Sequence, residues 1–129
     1  MNIQTISLLA SAAGIAVNTL FIAPARADWA AIAYLRSTGS QGTIAEVKTA
    51  AEAAKSALNI CGKSDCQVIL TDERSCIAVA AGGDGVVAGG GDPEWASDAE
   101  ERALESCNRR SSRYCRVVSS TCSNGGRSR

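Results

Sequence analysis

The stretch Gly83 to Ala88, GDGVVA, has the G-x-G-x-x-A spacing with which backbone amides at a helix N-terminus receive a dinucleotide pyrophosphate. That chemistry requires a strand before the loop and a helix opening at the third small residue. Here VVAGGGDP follows the glycines, so any helix starts too late and no nucleotide is expected. GGDG, Gly82 to Gly85, suits a hairpin turn in which Asp-Gly supplies positive φ and Ile77–Val79 pairs with Val86–Ala88. On that reading Gly85→Ala is more damaging than Asp84→Ala. Asp84, Asp92 and Glu94 lie among the glycines as in calcium-binding repeats, but Val87 stands where those repeats need an acid. They are read as solvated turn residues, with no metal.

Other chemistries narrow quickly. The chain has no histidine, which removes Ser-His-Asp and Cys-His catalysis and every imidazole metal site. No C-x-x-C is present for thiol exchange. Paired carboxylates are the only general acid/base candidates left, and the densest set is Glu94, Asp98, Glu100, Glu101 and Glu105. Glu101 and Glu105 share a helix face that points away from the apolar residues, and a solvated carboxyl lacks the burial that raises a general acid's pKa. No catalytic residue and no cofactor are assigned. What remains is RRSSRYCR, where Arg109, Arg110, Arg113 and Arg116 surround Tyr114. These arginines form a candidate anion-binding surface for nucleic acid, lipopolysaccharide or another anionic polymer. The plainer alternative is that Arg109 and Arg110 complement the end of a preceding acidic helix. Charge is uneven in the required way: residues 92–105 hold six acids against Arg102, and residues 107–129 hold six arginines and no acid.

The elements that position these groups follow from six cysteines and a repeat. Cys61, Cys66 and Cys76 align with Cys107, Cys115 and Cys122 at offsets of 46, 49 and 46. WAAIAY at Trp29 matches CIAVAA at Cys76, and each is followed by a glycine turn, a helical stretch and a cysteine. The chain therefore reads as two ββαβ units. In the first unit Ala30–Leu35 is a strand, STGSQG a turn, and Thr43-x-x-Glu46 a capping box. The helix it opens would bury Ile44, Val47, Ala51, Ala54, Leu58 and Cys61. In the second, Asp92-Pro93 or Ser97-x-x-Glu100 starts a helix with Ala99, Ala103 and Cys107 inward. CQVIL and CRVVSS are the closing strands. Two cysteines end helices and two begin the strands that follow, so the economical pairing is Cys61–Cys66, Cys107–Cys115 and Cys76–Cys122. The expected fold is α+β: a mostly antiparallel, disulfide-stapled sheet of about six strands with both helices on one face.

Residues 2–25 are uncharged and apolar, and end at Pro24 and the A-x-A of Ala25-Arg26-Ala27. Residues 1–27 are expected to be a cleaved signal peptide that leaves no membrane anchor, residues 28–122 one duplicated domain, and residues 123–129 a flexible tail. An even cysteine count in an exported chain points to disulfides and a secreted or periplasmic location.

WAAIAY, the C-x4-C and C-x7-C segments, CIAVA followed by GGDG, and the closing Cys122 together resemble the small exported bacterial domains grouped as domain of unknown function 4189. The resemblance covers Trp29 to Cys122. It implies an exported, disulfide-bonded fold and brings no catalytic residues. The function expected is a non-catalytic binding module (an inhibitor, an immunity-like factor or a secreted effector) for an unidentified protein or envelope component. A small hydrolase using carboxylates and a structural envelope protein are the alternatives.

Overall fold

The structure, a computed structural model, describes residues 26–128, so the expected signal lies almost entirely outside the described residues. The element order is β1 (Trp29–Tyr34), β2 (Gln41–Val47), α1 (Ala50–Cys61), β3 (Gln67–Glu73), then β4 (Cys76–Gly82), β5 (Val87–Asp92), α2 (Ala96–Arg110) and β6 (Cys115–Cys122). Each half is a ββαβ unit, and the fold is α+β with antiparallel pairing throughout its strands. The six strands are shared between two sheets of three, ordered β2-β1-β3 and β5-β4-β6, rather than joined in one.

The central strands explain this division. In β1, Ala31 and Ala33 pack against Ala53, Ala57 and Cys61 of α1, while Ala30, Ile32 and Tyr34 face the other sheet. In β4, Cys76, Ala78 and Ala80 pack against Ala99, Ala103 and Cys107 of α2, while Ile77 and Val79 face β1. Side chains alternate across a strand, so a strand apolar at every position needs cover on both faces. Splitting the strands gives each sheet a helix on one face and the other sheet on the second. The helices therefore lie on opposite outer surfaces, not together on one face of a common sheet.

Small residues set the helix-to-sheet spacing. A Cβ at Gly90 in β5 would fall inside the backbone of α2, 2.6 Å from Ala99 O, and one at Gly42 in β2 would fall 2.5 Å from Cys61 N of α1. Each helix rests on a glycine.

Helix α1 starts later than the first Thr-x-x-Glu. Thr43 and Ile44 pair with Ile32 and Ala31 of β1, so Thr43–Glu46 is strand, and the second match, Thr49-x-x-Glu52, supplies the cap. Thr49 Oγ1 accepts from Glu52 N at 3.1 Å. Tertiary pairing of a β-branched segment overrides a local helix signal here. Moving the start also changes the inner face to Ala53, Ala57 and Cys61, and Ala51 is exposed. At α2 the inner face is the expected one, Ala99, Ala103 and Cys107, extended by Ala96.

Three disulfides form, Cys61–Cys66, Cys76–Cys122 and Cys107–Cys115. Residues 123–127, expected as part of a flexible tail, are bonded back to the domain. Ser123 is buried and its N donates to Ser75 O at 2.9 Å, Asn124 Nδ2 donates to Ala27 O at 3.0 Å, and Arg127 O accepts from Ala96 N at 2.9 Å at the start of α2. The Arg127 guanidinium lies 5.6 Å from the Trp95 ring centroid.

Candidate functional site

The turn between β4 and β5 is a hairpin, with no helix opening at its third small residue. Gly82 N donates to Val86 O at 2.8 Å and Gly85 N to Gly82 O at 3.1 Å. Gly85 alone in the turn takes positive φ, +85°, so the geometry is a type I turn closed by a left-handed glycine, not one with both Asp84 and Gly85 left-handed. The pairing is also shifted from that expected: Ile77–Val79 lie opposite Gly91–Gly89, and Val87–Ala88 opposite Ala81–Ala80.

Asp84, read from sequence as a solvated turn residue, ties this hairpin to the loop between α2 and β6. Oδ1 accepts from Ser111 Oγ at 2.7 Å and from Val86 N at 3.4 Å, and Oδ2 from Ser112 N at 2.9 Å and Ser112 Oγ at 3.1 Å. The Ser111 hydroxyl bond, then the Ser112 amide, hold the Asp84 carboxyl far below the usual carboxylate range. Ser111 Oγ also accepts from Arg113 N at 3.1 Å, and Asn108 Oδ1 accepts from Cys115 N at 3.0 Å. With Cys107–Cys115 closing the loop at its base, residues 108–114 are fixed from several sides. They line an open groove of about 700 Å³ formed by Asn108, Ser111, Ser112, Arg113 and Tyr114. The Tyr114 side chain is 97% exposed.

The four arginines do not form one surface. Arg110 Nη2 donates to Val87 O at 2.9 Å, so it is bound to the edge of β5. Arg113 lines the groove beside Tyr114, its stem near Gly83, where a Cβ would lie 3.2 Å from Arg113 Cδ. Arg109 is exposed in the last turn of α2. Arg116 opens into a different groove, with Tyr34, Gly39 and Gln41 of the first unit.

The acids are dispersed too. Asp84 and Asp92 sit at opposite ends of the β4–β5 hairpin, separated by at least the five residue steps of β5 from Val87 to Asp92, about 17 Å by strand rise. They cannot share an ion. Asp92 is buried and structural: Oδ2 accepts from Trp95 N at 2.7 Å and Glu94 N at 3.0 Å, and Oδ1 lies 3.3 Å from Arg102 Nη2. The Trp95 amide, then the Glu94 amide, lower its pKa against the opposing effect of burial, and the Arg102 charge adds a lesser lowering. Glu100 accepts from Ser120 Oγ at 2.8 Å, whereas Glu101 and Glu105 are exposed. Among the described residues no three of His, Cys, Asp and Glu are grouped to hold a metal, and no helix is long and apolar enough to cross a membrane.

Sequence reasoning found the loop and its arginines but missed Asp84 as its anchor. The Asx contact to Val86 is local and readable. The bonds to Ser111 and Ser112 span 27 and 28 residues, and nothing in the spacing announces them.

Fold and site together define a small, disulfide-braced α+β domain of two ββαβ units, with disulfides that suit an oxidising compartment. Residues 29–122 match the family described as domain of unknown function DUF4189, and the chain belongs to that family. No curated protein and no solved structure matches it.

Proposed function

We propose that the chain is exported to a secreted or periplasmic location by a signal peptide over residues 1–27 and acts as a non-catalytic binding module. Its contact surface is the loop Ser111–Tyr114, and its partner is a protein or envelope component with an acidic face. The observation that carries this reading is a fully exposed aromatic ring, Tyr114, on a loop held by Asp84 and by Cys107–Cys115. A loop already held before contact loses little freedom on binding, and Tyr, Ser, Asn and Arg are the residues with which adaptable paratopes make contact. Arg113 lines the groove beside the ring and residues 108–114 contain no acid, which favours an acidic partner over a basic one. An inhibitor, an immunity-like factor and a secreted effector would all work through such a surface.

The test is capture from the exported fraction of the source cell, using protein beginning at Asp28, with Tyr114→Ala and Arg113→Ala as paired baits. A central aromatic anchor contributes about 2 kcal/mol or more, so Tyr114→Ala should weaken the captured partner roughly thirtyfold, with an unchanged unfolding midpoint. Equal capture by wild type and both variants would remove the loop from the contact. An exported protein that still begins at Met1 would remove the signal.

A further inference from the structure

A second site lies at the open end of the sandwich, where the two units meet, and does not involve the Tyr114 loop. Tyr34 ends β1 and Gln41 begins β2, directly opposite it in the sheet register. Arg116 lies in β6 of the other sheet, opposite Ala81. These three side chains line one groove of about 240 Å³, closed by Gly39, Val117 and Val118. The sheets are clasped nearby, Thr43 Oγ1 to Ser119 Oγ at 2.5 Å, so the groove walls are tied together.

The chemistry of the lining is one-sided. Tyr34 is buried, with 8% of the residue exposed, and its hydroxyl reaches the groove beside Gly39, 3.8 Å from where a Cβ there would lie, rather than being sealed in the core. A hydroxyl carried by a buried ring and accessible from the groove is held in one place and is open to a ligand or water there. Arg116 has no acidic partner among the described residues, and no carboxylate lines the groove. Tyr O–H, the Gln41 amide N–H2 and a guanidinium offer donors to a common space. Only an acceptor with several lone pairs and negative charge uses them together. The repeat sharpens the point, because the position equivalent to Tyr34 in the second unit is Ala81, and no second phenol fills the space.

We infer that Tyr34, Gln41 and Arg116 form a binding site for a single oxyanion group, a carboxylate or a phosphate, carried by a small molecule or a chain end. The shared chemistry is a compact anion with two or more acceptor oxygens facing Arg116, capped by the Tyr34 hydroxyl.

The experiment is titration of the folded protein with inorganic phosphate in one arm and N-acetylglycine in the other, at fixed ionic strength. It follows the Arg116 Nε and Gln41 side-chain amide signals by nuclear magnetic resonance. Saturable shifts are expected in at least one arm. Phosphate alone assigns a phosphoryl ligand and N-acetylglycine alone a carboxylate. Arg116→Gln removes the charge-assisted bonds and should weaken binding at least about tenfold, and Tyr34→Phe, which keeps the ring packing, about three- to tenfold. Tyr114→Ala should leave both affinities unchanged, so this site and the proposed contact loop fail independently. Shifts that do not saturate in either arm, or equal affinity in wild type and either site variant, overturn the assignment.

Discussion

Replacing Gly90 with alanine tests whether α2 rests directly on the backbone of β5. The added Cβ would lie 2.6 Å from Ala99 O and 2.9 Å from Arg102 C, with Ala103 N nearer still. Ordinary van der Waals contact begins near 3.4 Å and Ala103 N is the nearest of the three atoms, so the helix has to rise by about 1 Å, and backbone atoms cannot rotate aside in a close-packed interior. Overpacking typically costs about 1–3 kcal/mol, and the upper end applies because Ala96, Ala99, Ala103 and Cys107 all lose contact if α2 lifts. For a domain of about 100 residues, a loss of about 3 kcal/mol lowers Tm by roughly 12–24 °C. The same strand supplies its own controls. At Gly91 a Cβ meets Asp72 Oδ2 at 3.5 Å, an ordinary contact, and at Gly89 it meets the Leu70 side chain at 3.3 Å, which has room to adjust. Neither position has positive φ, so Gly91→Ala is expected to be neutral or to stabilise by up to about 1 kcal/mol, through a less flexible unfolded chain. Thermal and urea unfolding of the three variants decides the matter. Gly90→Ala within about 0.5 kcal/mol of Gly91→Ala would show that α2 does not rest on that backbone.

Asp84→Asn should destabilise more than Gly85→Ala at pH 7, the reverse of the order expected from the turn alone, because the Gly85 Cβ meets nothing within 4 Å and costs only backbone strain of about 1–2 kcal/mol. The Asp84 pKa is lowered by folding, so its contribution is complete above the unfolded value of about 3.9 and fades as pH falls toward the folded one; the gap between wild type and Asp84→Asn should close in urea titrations taken from pH 7 down to pH 2. Removing Cys76–Cys122, which spans 46 residues, should cost about 4 kcal/mol by loop-closure entropy, against about 2 kcal/mol for Cys61–Cys66, which spans 5; equal losses in paired alanine variants would count against that entropic account. A chain ending at Cys122 loses the backbone bonds from Ser123 to Ser75 and between Arg127 and Ala96, so its denaturant midpoint should fall by an amount equivalent to about 2 kcal/mol; an unchanged midpoint would restore the flexible tail.

Legibility from sequence followed the range of each interaction. The ββαβ order, the cysteine pairing and the inner face of α2 came from spacings of three to eight residues and from an offset near 46, all present in one dimension. The start of α1 did not, because Thr43-x-x-Glu46 and Thr49-x-x-Glu52 offer the same local signal, and only pairing with Ile32 and Ala31 decides between them. The division into two sheets did not, because WAAIAY and CIAVAA state that both faces are buried without stating what buries them. Asp84 to Ser111 and Tyr34 beside Arg116 each join residues from separate elements, and no periodicity encodes such meetings.

The ββαβ order shared by the two halves makes the scaffold readable and also shows where the halves differ. Two of the three cysteine offsets are 46 and the third is 49, so the second unit carries three additional residues between its helix and closing strand. The disulfide-closed loop there spans 8 residues where its counterpart spans 5. A tight loop such as 62–66 does no more than turn the chain, with Gly62 capping α1 in the left-handed conformation. The longer loop exceeds what the turn requires, and its surplus is the segment that Asp84 anchors and from which Tyr114 projects. Extra length in a solvated loop is tolerated at small entropic cost, and here the cost is offset by the hydrogen bonds from Ser111 and Ser112 to Asp84. The departure from symmetry and the exposed ring thus coincide at one end of the molecule, which is why the contact surface is proposed there and not on the exposed face of α1, whose loop has no such addition.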